Sequence, residues 1–161
     1  MLRLLLILLI VPAFSFAQKG KLYVSVDGAY GTNRVHSANL SAGYTKSGFH
    51  MGVGGGVQKN QGIDYKQISM TQFPMFAEIG FRKAKLPFVT IRGGSAVKNK
   101  LSRKVEWYTN ARIGMPFRVT NSLYVSPFIY TSAWKLEVKP NESYGYVPLQ
   151  STGFGLMLSR F

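Results

Sequence analysis

Cysteine is absent from this 161-residue chain, acidic residues are scarce, and only two histidines occur. Without cysteine, neither a disulfide framework nor a lipid-bearing cysteine is available. Two imidazoles and no thiol give no metal-ligand cluster at a usable spacing, so we expect no metal. The chain has 20 Lys and Arg against 6 Asp and Glu. Such an excess of positive charge favours phosphate-bearing partners.

Long apolar runs are also missing, except at the amino terminus. Arg3 precedes the apolar run Leu4–Val11, and Ser15-Phe16-Ala17 places small residues at −3 and −1 of a cleavage site before Gln18. A membrane anchor would need about 20 apolar residues, more than this segment has. We therefore predict a cleaved signal peptide over 1–17 and a single domain over 18–161. Loss of Arg3 leaves 19 basic and 6 acidic residues, a formal charge of +13.

The rest of the chain alternates between apolar and polar residues, with the period of two that is typical of β-strands. Transmembrane strands need about 9–11 residues, whereas strands in soluble proteins average about 5–6. Most of the alternating segments have the greater length, which favours a membrane barrel. The eight predicted strands are Lys21–Gly31, Ser37–Thr45, Gly48–Gln58, Gln67–Phe81, Leu86–Val97, Glu106–Arg118, Ser122–Leu136 and Leu149–Phe161.

The connections between these segments alternate in length. Tight turns are predicted at Lys46-Ser47, Arg82–Lys85 and Val119–Asn121, and longer links at Thr32–His36, Lys59–Lys66, Lys98–Val105 and Glu137–Pro148. In an up-and-down barrel the short turns share the end that carries both termini (the near end), and the longer links share the other (the far end). Outer-membrane barrels have this asymmetry between periplasmic turns and extracellular loops. The predicted fold is therefore all-β, an eight-stranded antiparallel up-and-down transmembrane β-barrel.

Within each strand one face is apolar and the other is small or polar, and we expect the apolar face to meet lipid. A soluble barrel would have to expose the same apolar residues to water, which is unusual over a large contiguous area. On this assignment Asp27, Glu78, Arg92 and Arg112 point into the interior (the lumen). Because unpaired buried ions cost several kcal/mol each, we predict a salt-bridge network among these four. The alternative is that one or two of them lie near a rim, in water.

Two further patterns bear on this assignment. The glycine-rich stretch Val53–Val57 lacks the following Lys-Ser/Thr of a phosphate loop, so no nucleotide or other cofactor is expected. Aromatic residues group near the strand ends, as in the two interfacial belts of membrane proteins. The predicted near-end belt contains Tyr44, Phe49, Phe81, Phe88, Phe117 and Tyr124, and the far-end belt contains Tyr30, Tyr65, Trp107, Trp134, Tyr144 and Tyr146.

The pattern of signal peptide, eight strands, alternating connections and terminal Phe161 resembles the small eight-stranded outer-membrane barrels of Gram-negative bacteria, the OmpA-barrel and OmpX-like group. The resemblance is architectural and covers the mature chain. It implies that Phe161 is read by the barrel-assembly machinery. The family pattern also has apolar residues in phase with that Phe, whereas here Phe154, Leu156 and Leu158 are out of phase. A bulge near Ser159 would reconcile the two phases.

Such a barrel is too narrow for an open pore, so we expect a structural or surface-interaction role in the outer membrane, with no enzymatic activity. Basic residues suit phosphate contacts, so outer-membrane lipid and lipopolysaccharide are the expected partners, and an envelope protein partner stays open. The leading candidates for phosphate contacts are Lys98, Lys100, Arg103 and Lys104, among the far-end basic residues Arg34, Lys59, Lys66, Lys98, Lys100, Arg103, Lys104 and Lys139. Lys46, Arg82, Lys83, Lys85 and Arg118 are expected to meet phosphates at the near end. Export argues against a nucleic-acid partner.

Two alternatives remain open at this point. A soluble periplasmic or secreted barrel, lipocalin-like in architecture, would bind an apolar ligand and would have an apolar interior and a polar exterior. An outer-membrane lipid-modifying enzyme would need a general base beside a nucleophile. His36 and His50 are the only imidazoles, and neither forms a recognisable Ser-His-acid pattern in the sequence.

Overall fold

The computed structural model of the chain describes residues 20–63, 68–83, 85–97, 107–138 and 145–160. Seven of its nine strands have ten residues or more, enough to cross a membrane's hydrocarbon core, which takes about 9–11. The strands are β1 (Lys21–Gly31), β2 (Val35–Lys46), β3 (Phe49–Ile63), β4 (Ile68–Phe81), β5 (Phe88–Val97), β6 (Trp107–Gly114), β7 (Phe117–Arg118), β8 (Leu123–Val138) and β9 (Gly145–Arg160). In the part of the chain that is described, no helix is long and apolar enough to span a membrane.

The sheet closes on itself, because β1 pairs antiparallel with both β2 and β9. β6 and β7 both pair with β8. Gly114 lies opposite Phe128 and Phe117 lies opposite Val125, so the two segments pair with β8 in the same register. The two segments therefore occupy a single strand position, interrupted at Pro116, which has no N–H for the ladder. The result is a closed antiparallel barrel of eight strand positions, which confirms the predicted fold. Among the strands that the structure describes, closure leaves no unpaired sheet edge.

The β2–β3 connection is the tightest turn of the near end. Ser47 and Gly48 both have positive φ, 53° and 94°, as the two central residues of a type I′ hairpin require. A Cβ on Gly48 would lie 2.8 Å from the Phe81 ring, so glycine is needed there for space as well as for conformation. The predicted tight turn at Lys46-Ser47 is thus displaced by one residue.

Three of the four far-end connections are shorter than predicted, and the link between β5 and β6 is not. β1 and β2 are joined by the three-residue 3-10 turn Thr32–Arg34, and His36 already belongs to β2. β3 continues to Ile63, and β8 and β9 take up residues at both ends of the predicted link Glu137–Pro148. The difference in length between near-end and far-end connections is therefore weaker than the sequence suggested. Paired strands extend into polar segments because the ladder satisfies their backbone hydrogen bonds.

The alternation of faces follows the prediction strand by strand. On β4, Phe73, Met75 and Ile79 are exposed on the outside, and Phe76 and Glu78 are buried inside. β9 obeys the same rule, with Leu156 and Leu158 outside and Met157 and Ser159 inside. Its pairing with β1 runs unbroken from Gly153 to Arg160. The described part of β9 therefore contains no bulge near Ser159. Its outward apolar residues are Phe154, Leu156 and Leu158, which are out of phase with Phe161.

Candidate functional site

Arg92 lies on β5 inside the barrel and bridges carboxylates from two other strands. Its Nε donates to Glu78 Oε2 at 2.7 Å, and its Nη2 donates to Asp27 Oδ2 at 2.8 Å. Glu78 is directly opposite Arg92 in the β4–β5 pairing, whereas Asp27 reaches it from β1, four strand positions away around the barrel. The Arg92 side chain is only 1% exposed. It therefore ties opposite walls of the lumen together.

Arg112, on β6, adds a second cation to Asp27. Its Nη1 lies 2.7 Å from Asp27 Oδ2, and its Nε donates to Asn110 Oδ1 at 2.6 Å. The other oxygen of Asp27 accepts a hydrogen bond of 2.8 Å from Asn39 Nδ2. The structure thus brings Asp27, Glu78, Arg92 and Arg112 together inside the barrel, with both oxygens of Asp27 engaged.

Hydroxyl groups complete the environment of Glu78. Its Oε1 accepts hydrogen bonds from Tyr23 Oη at 2.5 Å and from Ser41 Oγ at 2.8 Å. Ser25 and Ser41 are linked in turn through their hydroxyls at 2.8 Å. Because a buried ion is tolerated only when it is paired and hydrogen-bonded, these neutral partners stabilise the Glu78 carboxylate together with Arg92. The charged network therefore involves β1, β2, β4, β5 and β6.

Aromatic side chains fill the lumen next to the charges. One cluster joins Phe76, Tyr108 and Trp134, and the other joins Phe88, Phe128, Tyr130 and Met157. The guanidinium of Arg92 lies 4.3 Å from the Phe76 ring centroid and that of Arg112 lies 4.7 Å from the Phe128 centroid, within the range of cation–π attraction. At this depth the lumen is occupied by side chains, as expected for eight strands.

Arg82 is a lumen residue, so its predicted position at the near-end membrane surface is wrong. It follows the end of β4 and is only 6% exposed. Its Nη2 donates to Met157 Sδ at 3.2 Å, and its guanidinium lies 5.0 Å from the Phe88 ring centroid. The period-two phase of β4, which puts Phe76 and Glu78 inside, also puts residue 82 inside. The sequence therefore indicates the inward position of residue 82 once the alternation of β4 is continued past Phe81.

The two histidines lie on opposite sides of the wall. His36 is exposed, and its ring meets that of Tyr30 edge-on at 4.9 Å. His50 is buried, with Nε2 3.1 Å from Thr90 Oγ1, and Thr90 is buried as well. Neither imidazole is within hydrogen-bond distance of a carboxylate among the contacts that the structure describes. Over the same residues, no three His, Asp or Glu side chains group closely enough to hold a metal ion.

The outer wall is apolar around the barrel. Val53 and Phe154 are 67% and 65% exposed, far above the level expected for large apolar side chains in water. The exposed wall also includes Leu22, Val24, Val26, Leu40, Met75, Ile79, Ile91, Ile113, Ile129, Leu156 and Leu158. A continuous apolar surface of this kind fits contact with lipid hydrocarbon.

The aromatic belts are present in part. Tyr44, Phe49 and Phe117 are exposed near the near end, and Tyr30 and Trp107 near the far end. Phe88 and Trp134 were predicted in the belts but are buried in the lumen clusters, because their phase along the strand points inward. Tyr65 and Tyr144, and the side chain of Tyr146, lie outside the described residues.

The near end is uniformly basic in the ranges that the structure describes. Six cations are exposed there and no Asp or Glu is. They are Lys21, Lys46, Lys83, Lys85, Arg118 and Arg160. The candidate far-end phosphate contacts Lys98, Lys100, Arg103 and Lys104, the terminal Phe161 and the predicted signal peptide over 1–17 all lie outside the described residues.

No protein-family model and no curated protein matches this sequence. Among solved structures, Neisserial surface protein A aligns with a TM-score of 0.56 and 14% identity, over 89% of this chain and 99% of its own. A de novo designed transmembrane β-barrel aligns at 0.49 with 14% identity, over 86% and 93%. The outer membrane protein AlkL aligns at 0.49 with 12% identity, over 86% and 89%. The chain therefore has the eight-stranded barrel fold of Neisserial surface protein A.

Proposed function

We propose that the protein is an integral outer-membrane β-barrel with a structural or surface-interaction role and no enzymatic activity. The observation that carries this proposal is the inverted polarity of the barrel, with an apolar outer wall around a charged interior. Only a closed barrel or a helix satisfies the backbone in lipid, and a transmembrane barrel has this polarity. A lipocalin-like soluble barrel would need the reverse arrangement, so the exposed apolar wall argues against that alternative.

The filled lumen favours a role at the barrel surface over conduction. Arg92 and its partners, together with the two aromatic clusters, occupy the space that a channel would need. Surface contacts at the far end would then fall to its basic loops, where lipopolysaccharide phosphates are the complementary ligands. Assembly through Phe161 and an envelope protein partner remain parts of the proposal.

Location is tested by heat-modifiability of the protein in isolated envelopes. The sample is run on a gel unheated and boiled, beside a carbonate wash of the membranes. We expect a mobility shift and retention in the washed outer membrane, because a folded barrel resists detergent until it is heated. Release into the soluble fraction without a shift would contradict the membrane assignment.

The loop contact is tested by lipopolysaccharide co-purification. A variant with Gln at Lys98, Lys100, Arg103 and Lys104 should retain less lipopolysaccharide than the unaltered protein. Its matched control replaces Lys46, Lys83, Lys85 and Arg118 by Gln, which removes the same charge at the other end and should leave the amount of co-purified lipopolysaccharide unchanged. If both variants and the unaltered protein retained equal amounts of lipopolysaccharide, the phosphate contact at the loops would be ruled out. The proposed membrane barrel would not be affected by that result.

A further inference from the structure

An apolar groove runs along the outer wall of the barrel toward the near end. It has a volume of about 720 Å³, within the roughly 300–1,000 Å³ of small-molecule sites. The large apolar residues that line it are Leu22, Tyr44, Met51, Val53, Ile79 and Ile91. A second depression of about 520 Å³ shares Val53 and Ala77 with it and continues toward mid-depth. Together they form one trough across β1–β5, which we call the outer groove.

Gly93 lines the outer groove and leaves space that the barrel itself does not use. A Cβ built on Gly93 would meet no heavy atom within 4 Å. The next residue, Gly94, faces the other way, and a Cβ there would collide with the backbone of β4 at Met75 and Phe76. Packing within the barrel therefore explains a glycine at 94 but not at 93. The groove is open to a molecule from outside the chain.

The charges beside the outer groove indicate the chemistry of that molecule. Lys21 directly precedes Leu22, Lys46 is two residues beyond Tyr44 on β2, and Lys83 and Lys85 follow β4, whose Ile79 lines the groove. No exposed acid accompanies them among the near-end residues that the structure describes. An occupant with a hydrocarbon chain below an anionic phosphate matches the groove and the adjoining lysines together.

We propose that the outer groove is a binding site for an anionic glycerophospholipid of the near-end leaflet. One acyl chain lies in the groove against Gly93, and the phosphate contacts the near-end lysines. The proposal rests on the membrane location proposed above. It differs from the lipopolysaccharide contact, because that contact lies at the far-end loops.

The test is native mass spectrometry of the detergent-purified barrel mixed with equal amounts of dioleoylphosphatidylglycerol and dioleoylphosphatidylcholine. We expect the unaltered protein to retain one phosphatidylglycerol in preference to phosphatidylcholine. Gly93→Leu should lower that retention about tenfold, equivalent to about 1.4 kcal/mol, because the leucine fills the groove without disturbing the barrel. Gly28→Leu is the matched control, since Gly28 also faces outward and its Cβ would meet only an ordinary contact at 3.8 Å.

A charge variant tests the headgroup separately. With Lys46, Lys83 and Lys85 all replaced by Gln, the preference for phosphatidylglycerol over phosphatidylcholine should disappear. An unchanged preference would overturn the headgroup assignment. Equal lipid retention by Gly93→Leu and the unaltered protein, or an equal loss in Gly28→Leu, would overturn the site. The site would also be overturned if the unaltered protein formed a dimer and Gly93→Leu abolished it, because the groove would then hold a second copy of this chain.

Folding is checked for every variant by its heat-modifiability. A barrel that shifts on heating and remains in washed membranes, yet shows no selective lipid, contradicts this inference alone. A protein that neither shifts nor remains in the membrane contradicts the proposed function instead. The two failures are therefore distinguishable in the same samples.

Discussion

Ile91 and Arg92 are neighbours on β5, and their side chains lie in opposite surroundings. Ile91 is 55% exposed on the outer wall, whereas Arg92 is 1% exposed among carboxylates and aromatic rings. The same contrast recurs along β1, where Val26 faces outward and Asp27 inward. The two faces are stabilised differently. The inner face depends on specific partners, because buried ions must be paired, whereas the outer face needs only apolar side chains.

The largest effect is expected inside, from Arg92→Met. The substitution removes the cation that Asp27 and Glu78 share and leaves two buried carboxylates short of a partner. Breaking a buried ion pair costs about 3–5 kcal/mol, which should appear in the free energy of unfolding measured with urea in lipid vesicles.

Arg160→Met is the control, because Arg160 is exposed at the near end and should show no measurable loss. Adding Asp27→Asn and Glu78→Gln to Arg92→Met should recover part of the stability by removing the orphaned charges. If Arg92→Met and Arg160→Met unfolded at the same urea concentration, the salt-bridge network would not contribute to the stability of the barrel.

A charge on the outer face should cost somewhat less. Ile129, on β8, is 62% exposed on the outer wall, and Ile129→Arg should lower the unfolding free energy in vesicles by about 2–4 kcal/mol, the value for arginine at mid-depth. The cost falls to about 0–1 kcal/mol near the interface, so Val119→Arg in the β7–β8 connection is the control. Similar losses from both would mean that the outer wall does not lie in hydrocarbon.

Gly93 and Gly94 on β5 allow the outer and inner faces to be compared by adding a single methyl group to each. Gly94→Ala forces a Cβ against the β4 backbone, and overpacking of this kind costs about 1–3 kcal/mol. Gly93→Ala adds the same methyl group in open space and should leave the unfolding free energy unchanged or slightly increased. The pair is measured by the same urea titration. A greater loss from Gly93→Ala than from Gly94→Ala would reverse the face assignment of β5.

The smallest effect is expected in the aromatic belt. The Phe49 and Phe81 rings meet edge-on at 5.2 Å across β3 and β4, and such pairs contribute about 0.5–1.5 kcal/mol beyond area burial. A double-mutant cycle with Phe49→Ala and Phe81→Ala should give a coupling energy in that range. A coupling of zero would mean that the two rings contribute independently, through lipid contact alone.

Much of the fold was predictable because alternation is a local property. The faces of β1, β4, β5 and β6 followed from residue phase, and so did the inward position of all four lumen charges. The predicted positions are wrong where they depart from the period-two alternation along the strand. Arg82 was assigned to a turn, and Phe88 and Trp134 were assigned to belts for their residue type, although phase places all three inside. Strand ends were also misjudged, because pairing carries β2, β3 and β8 into polar segments.

By itself, then, the sequence determined that the barrel has eight strand positions in antiparallel order. It also determined which residues of a strand share a face, since a period of two needs only the residues within that strand. The tertiary structure alone decided which residues meet. Asp27 and Arg92 are 65 positions apart in the chain and touch only because closure places β1 opposite β5. The outer groove has the same origin, because β1 to β5 must lie side by side before their residues can form one depression. Register and closure are long-range properties, and no local pattern encodes them.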